Sequence, residues 1–327
     1  MTAASASAVW RNRAAATVCR PCTTCRSRHE RAVGDLPMSI RNLGYLVFEV
    51  VELEAFAAFA ADMLGVEVQQ RGEDAVRMRI DSRSWRIEAQ RGPRNDVVAA
   101  GLEVGAATDL ERLERHLAER GTAARRDAAL ARERGVTGLS HCSDPSGLEI
   151  ELFYGATEEN HRPLRTPLGH GGFVTGAQGL GHMVLKTPVP ERSAEFYCEG
   201  LGMAVSDYIP LYIPGRPPAE LQFLHCNSRH HTVALLGMPD PKRLAHFMLE
   251  CRDLDDLGRA LDRVQAADAV NATLGRHTND GMLSFYAQMP GGIEVEIGFG
   301  GMQVEPQAWS VVRHEKTSRW GHVRRRR

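Results

Sequence analysis

Residues 178–187 read Gln178-Gly179-Leu180-Gly181-His182-Met183-Val184-Leu185-Lys186-Thr187, and residues 41–50 read Arg41-Asn42-Leu43-Gly44-Tyr45-Leu46-Val47-Phe48-Glu49-Val50. The two stretches are copies of one pattern. Each runs into a helix-like segment that ends in Leu-Gly, at Leu64-Gly65 and at Leu201-Gly202. The likeness resumes with Leu102-Glu103 before Asp109-Leu110-Glu111-Arg112-Leu113, matched by Leu249-Glu250 before Asp253-Leu254-Asp255-Asp256-Leu257. It closes with Gly147-Leu148-Glu149-Ile150-Glu151 against Gly292-Ile293-Glu294-Val295-Glu296. Three equivalent positions carry Tyr45, Ala99 and Glu151 in the first copy and His182, His246 and Glu296 in the second. One half can hold a metal ion and the other cannot.

Apolar alternation and β-branched residues predict a strand over 43–51, and helical periodicity predicts a helix over 53–64. Paired strands are predicted over 76–80 and 85–90. A strand over 99–104 follows, then a helix over 109–120 with Asp109 near its positive end. Strands over 139–142 and 148–154 close the half. A strand–helix–strands unit therefore occurs twice before residue 155, and it recurs from Leu180 and again from His246. The fold class is α+β, with four such modules, two per half. Paired modules make a curved sheet around a cavity, with the opening strands lining it. The expected organisation is an extension over 1–37, a first domain over 38–155, a linker over 156–176, a second domain over 177–300 and a tail over 301–327. The linker is marked by Pro163, Pro167, Gly169, Gly171, Gly172 and Gly176, and the tail by the run Arg324 to Arg327.

Bulk properties exclude some functions. A net charge of −1 gives no whole-chain footprint for nucleic acid or an anionic membrane. Charges interrupt every apolar run well before the length of a membrane span. A soluble, cytoplasmic protein is expected. Cys142, Cys198, Cys226 and Cys251 stand singly within predicted elements, as reduced thiols do. Cys19, Cys22 and Cys25 form two CxxC spacings in a row, but no second pair or histidine follows at zinc-site distance. Residues 1–37 are rich in Ala, Ser and Arg without an apolar pattern, whereas Met38 leads directly into the first strand. The extension reads as a disordered tail or an overlong start assignment.

Two imidazoles and a carboxylate from three strands form the facial set that suits non-heme Fe(II), with positions left for substrate and O2. Inward-facing histidines on apolar strands are costly unless bonded or ligating. Glu294 and Glu296 lie two apart on one strand and share a face, so spacing leaves both open. Further polar residues lie in His230-His231-Thr232 and in Gly275-Arg276-His277-Thr278-Asn279-Asp280, the latter ahead of Ser284-Phe285-Tyr286. A histidine beside a metal can move protons, its pKa lying near the working range.

These motifs, taken with Gly181-His182-Met183, Phe223-Leu224-His225-Cys226-Asn227, His246-Phe247-Met248 and Glu294-Val295-Glu296, resemble the type I extradiol ring-cleavage dioxygenases. That family belongs to the vicinal oxygen chelate superfamily, and the resemblance is nearest to its 2,3-dihydroxybiphenyl 1,2-dioxygenases. It runs from about Met38 to Trp320 in order. It implies two domains, each a pair of βαβββ modules, with metal only in the second. It also implies His182, His246 and Glu296 as iron ligands, which selects Glu296 over Glu294. By the same resemblance His231 is the acid/base, His277 and Asp280 are supporting polar residues, and Tyr286 hydrogen-bonds a substrate hydroxyl. The cofactor is then Fe(II), with Mn(II) compatible, and the partners are a catechol and O2. A homo-oligomer is expected, as is an apolar pocket drawing on Phe223, Met203, Val205 and Pro210. The sequence departs from the family at Gly281, where relatives often carry histidine, and this bears on substrate selection. Competing readings are a glyoxalase- or isomerase-like metalloenzyme and a binding-only module of the same fold.

Overall fold

The computed structural model describes residues 40–166, 168, 171–212, 215, 217–306 and 308–325. The expectations for residues 1–37, Cys19, Cys22 and Cys25 included, lie outside the described residues. The first module runs β1 (Asn42–Val50), α1 (Leu53–Phe59) widening into a π turn (Ala60–Leu64), β2 (Glu67–Gln70), β3 (Ala75–Arg79) and β4 (Ile87–Arg91). The second runs β5 (Asp96–Glu103), α2 (Ala107–Glu119), β6 (Arg125–Arg126), α3 (Ala128–Arg134), β7 (Val136–Ser143) and β8 (Glu149–Ala156). The third comprises β9 (His182–Thr187), α4 (Pro190–Glu195) with a second π turn (Phe196–Gly200), β10 (Ala204–Leu211), β11 (Ala219–His225) and β12 (Val233–Gly237). The fourth comprises β13 (Leu244–Cys251), α5 (Leu254–Ala266), β14 (Val270–His277), β15 (Leu283–Gln288) and β16 (Glu294–Phe299). Each opening strand pairs in parallel with its own module's closing strand, as β1 with β4 and β13 with β16. Opening strands of paired modules run antiparallel, β1 on β5 and β9 on β13. One sheet therefore joins each pair of modules, with order β2-β3-β4-β1-β5-β8-β7-β6 in the first half.

Side chains on these strands divide by alternation. On β9, Met183 and Leu185 enter the large apolar cluster under the helices, whereas Val184 faces the other way with Phe223 and Ala234. His182 shares the face of Val184. On β1, Leu46 and Phe48 pack toward the helices, and Tyr45 and Val47 take the opposite face. The helix-side cluster draws on both halves, with Phe48 and Phe247 at 5.3 Å between ring centroids. The face opposite the helices is filled in the first half by Tyr45, Trp85 and Phe153.

Two features differ from the sequence-based expectation. Helix α3 was absent from it, although Asp127 caps its start by accepting from the Ala129 and Leu130 amides, and left-handed Gly135 ends it. Residues 301–327, expected as a tail, contribute β17 (Val312–Arg313) and β18 (Ser318–Trp320). These cover both edges of the second sheet, on β10 and β14. The segment is short of apolar alternation, so only the unpaired sheet edges give it strand form. Among the described residues no helix is long and apolar enough to cross a membrane, and Cys142, Cys226 and Cys251 are free thiols.

Candidate metal centre

His182 opens β9 directly after Gly181. A Cβ at Gly181 would stand 2.0 Å from the Met248 carbonyl oxygen on the neighbouring strand, and the backbone there has φ +151°. Only glycine lets β9 approach β13 this closely. The pairing then sets His182 opposite Met248 and Val184 opposite His246, while Met248 also faces Glu296 across β16. The result is convergence: Nε2 of His182 and Nε2 of His246 lie 3.4 Å apart, and Glu296 Oε2 is 3.2 Å from each. Neighbouring ligands of an octahedral ion held at about 2.2 Å lie about 3.1 Å apart, so the donor set fits a divalent ion. Glu294 points to the same side, but its carboxylate accepts from Asn271 and from Arg324 at 2.6 Å. That engagement separates two glutamates which spacing could not.

The ionisation of the cluster also suits a cation. Burial pulls the His182 imidazole down to about 4, against smaller opposing contributions from Glu296. Burial pushes the Glu296 carboxyl up, but contacts with His182, His246 and His277 outweigh it and hold it well below the usual range. A neutral His182 beside an ionised Glu296 matches the ligand states a metal requires. His182 Nδ1 is buried and has no hydrogen-bond partner among the described residues, and its ring packs on His231, 4.0 Å away and tilted by 32°.

Around the three donors stand the other residues singled out from sequence. His231 is buried, and burial, then the neighbouring His182 and His230 rings, keep it well below the ordinary imidazole value. Its Nδ1 is 3.1 Å from His230 Nδ1 and 3.9 Å from Asp280 Oδ2. His277 donates Nδ1–H to the Thr317 carbonyl at 2.9 Å, while its Nε2 is 3.1 Å from Glu296 Oε1 and 2.8 Å from Tyr286 Oη. Burial opposes the charged form of His277, but the Glu296 carboxylate outweighs it and raises the ring to about 9. Burial and then the Glu296 charge push the Tyr286 phenol well above its ordinary value, so Oη keeps its proton. Gly281 has φ +66°, which favours glycine at the turn after Asp280.

Of the expected pocket residues, Phe223 meets the His231 ring edge-on at 4.9 Å. Met203 and Val205 instead belong to the helix-side core, because a bulge between Val205 and Asp207 resets the alternation of β10. Sequence reading also missed His322, which lies 4.2 Å from His277 between ring centroids, and Arg324, whose guanidinium sits 5.0 Å over the Tyr286 ring. Both come from the segment read as a tail, and no periodic signal marks them.

The equivalent positions of the first half form a closed salt bridge. Tyr45 donates to Glu151 Oε2 at 2.5 Å, and Arg134 donates to the same carboxylate through Nε at 2.9 Å and NH2 at 2.8 Å. The guanidinium neutralises Glu151 in place of a cation, and it arrives on α3.

Comparison with known proteins agrees with this geometry. Residues 179–297 match the model of the Glyoxalase/Bleomycin resistance protein/Dioxygenase superfamily, and residues 43–92 match that of Dihydroxybiphenyl dioxygenase BphC D1. A biphenyl-2,3-diol 1,2-dioxygenase from Metapseudomonas furukawaii is 45% identical over 286 residues, covering 87% of this chain and 94% of the relative. An iron-dependent extradiol dioxygenase from Rhodococcus jostii is 40% identical, covering 87% and 97%. The crystal structure of BphC, a halotolerant catechol dioxygenase, superposes with a TM-score of 0.82 at 33% identity, covering 88% of this chain and 95% of that one. The chain belongs to the extradiol dioxygenases of this superfamily.

Proposed function

We propose that the protein opens the ring of a catechol such as 2,3-dihydroxybiphenyl with O2, in the catabolism of aromatic compounds, at an Fe(II) held by His182, His246 and Glu296. The observation that carries this reading is the convergence of three donor atoms at 3.2–3.4 Å beside a buried, neutral His231. Bound there, Fe(II) supplies a redox-active centre with positions for both catechol and O2, and the same donors accept Mn(II). The chain's own groups bind, orient and move protons. Tyr286 Oη, kept protonated, donates to a catechol oxygen. His277 donates Nε2–H toward Glu296 Oε1 and Tyr286 Oη, holding carboxylate and phenol in one orientation. His231 carries a proton between the catechol and the pocket, and Asp280 faces it as a buried acceptor. Val184, Ile209 and Phe223 form an apolar wall that excludes water and suits an aryl substituent.

A glyoxalase-like isomerase drawing ligands from both halves finds no ligand set among the described residues of the first half, where Arg134 engages Glu151. The test is metal analysis with oxygen uptake on 2,3-dihydroxybiphenyl. Stoichiometric iron, equimolar O2 consumption and a yellow ring-fission product are expected. A protein that binds metal but consumes no O2 with any catechol overturns the proposal.

A further inference from the structure

Asp207 is a wholly buried carboxylate that the ring-cleavage chemistry does not use. It sits on β10 where the bulge between Val205 and Asp207 breaks the alternation, so that Val205, Ser206 and Asp207 are all buried in succession. The bulge is held in place on both sides. Trp309 Nε1 donates to the Ser206 carbonyl at 2.9 Å, and Ser206 Oγ donates to the His230 carbonyl while accepting from His225 Nδ1 at 2.7 Å. The His230 ring is packed edge-on between Trp309 at 5.6 Å and Phe223 at 6.3 Å. A buried carboxylate requires a donor, and two imidazoles face this one. Asp207 Oδ2 lies 2.7 Å from His230 Nε2 and 3.3 Å from His314 Nε2, charge contacts of which neither is aligned as a hydrogen bond.

We propose that Asp207, acting through His230, determines which ring nitrogen of His231 carries the proton. The argument is one of donors and acceptors. With the Asp207 charge 2.7 Å away, a lone pair on His230 Nε2 would be repelled, so His230 carries its proton there, which leaves the lone pair on His230 Nδ1 bare. That lone pair faces His231 Nδ1 at 3.1 Å, so His231 must supply the hydrogen of this contact from Nδ1. The Asp280 carboxylate, 3.9 Å from the same nitrogen, favours the same arrangement. Nε2, on the opposite side of the His231 ring, is then the nitrogen without a hydrogen, able to take a proton from substrate. Asp207 and His230 are positioning residues, in the way a buried carboxylate fixes the working tautomer of a catalytic histidine elsewhere. The inference rests on the reading of His231 as the proton carrier, and the test separates the two.

The full-length chain, labelled with 15N-histidine and loaded with Zn(II) as a diamagnetic probe, is measured by long-range 15N–1H correlation, with the His231 signals identified by their loss in His231→Ala. The wild-type His231 ring should show a protonated Nδ1 and a bare Nε2; a proton on Nε2 overturns the proposal without any further variant. In the iron-loaded enzyme, Asp207→Asn and His230→Gln should each lower kcat about 100-fold, with iron content and KM for 2,3-dihydroxybiphenyl unchanged. Asp207→Asn should also shift the His231 15N signals toward a tautomer mixture. Wild-type kcat and an unmoved His231 tautomer in Asp207→Asn overturn the proposal. Absence of O2 uptake in the wild-type enzyme would instead defeat the ring-cleavage reading and leave the tautomer measurement standing.

Discussion

Replacing one residue at a time separates metal holding from proton transfer. His182 places Nε2 within 3.4 Å of His246 and 3.2 Å of Glu296, so His182→Ala should lose iron itself; stoichiometric iron in that variant would sink the ligand assignment. His231 touches the ligand set only through ring packing, so His231→Ala should keep its iron and lose about 100- to 10,000-fold in turnover. Full turnover there would remove His231 from the chemistry. The two halves supply an internal control. Glu296→Gln should lower iron content, whereas Glu151→Gln should leave it unchanged. The second change still has a cost, because it removes the bidentate carboxylate of the buried Arg134, which is left with Glu88 at 3.2 Å. Leaving a buried charge with no partner costs about 3 kcal/mol, so with Glu88 still in place a smaller loss is expected, read as a lower denaturant midpoint at full iron loading. Equal iron loss in both variants would contradict the assignment of metal to one half.

At the scale of elements, the site depends on strand approach. Gly181→Ala would drive a methyl group into the Met248 carbonyl and push β9 away from β13. Lower iron stoichiometry together with a lower melting temperature is expected; wild-type values for both would show that the close approach is not needed. The C-terminal segment makes a second case. Thr317, His322 and Arg324 surround His277 and Tyr286. A chain ending at Val311 should therefore retain the three metal donors but turn over more slowly, measured as kcat against iron content. Unchanged kcat per iron would reduce the segment to an edge cover. Helix α3 illustrates a legible element that was overlooked: Asp127 and Gly135 bracket Ala128–Arg134 with cap chemistry. Its seven residues were too few for periodicity to stand out between two strands.

For the whole molecule, buried ion pairs between strands tie stability to pH. Burial pushes the Asp81 carboxyl up, but Arg86 outweighs it and holds it below its ordinary 3.8. Glu88 is likewise pushed up by burial, yet Arg77 and Arg134 hold it below its ordinary 4.5. Groups whose folded pKa is depressed add stability that is complete above the unfolded value and is lost as pH falls through the folded one. The contribution of these carboxylates to the denaturant midpoint should thus be level near neutrality and fall from about pH 4.5 downward, on top of a loss that begins near pH 6.5 because His182 and His231 are buried in the neutral form. A midpoint that stays flat to pH 3 would show these pairs to be without net effect.

Much of this protein could be read from residue order. Module boundaries, the α+β class and the contrast of Tyr45, Ala99 and Glu151 with His182, His246 and Glu296 are local or periodic signals, and duplication printed them twice. Alternation also put Glu294 and Glu296 on one face. What alternation could not do was choose between them, because the choice depends on Arg324 and Asn271 reaching Glu294 from distant parts of the chain. The same holds for Met203 and Val205, which a bulge turned into the core, and for His322, Asp207 and Arg134. Their roles come from long-range pairing of sheet edges and from buried charge finding its partner. Periodicity records which face a side chain takes; only the assembled sheets decide what waits on that face.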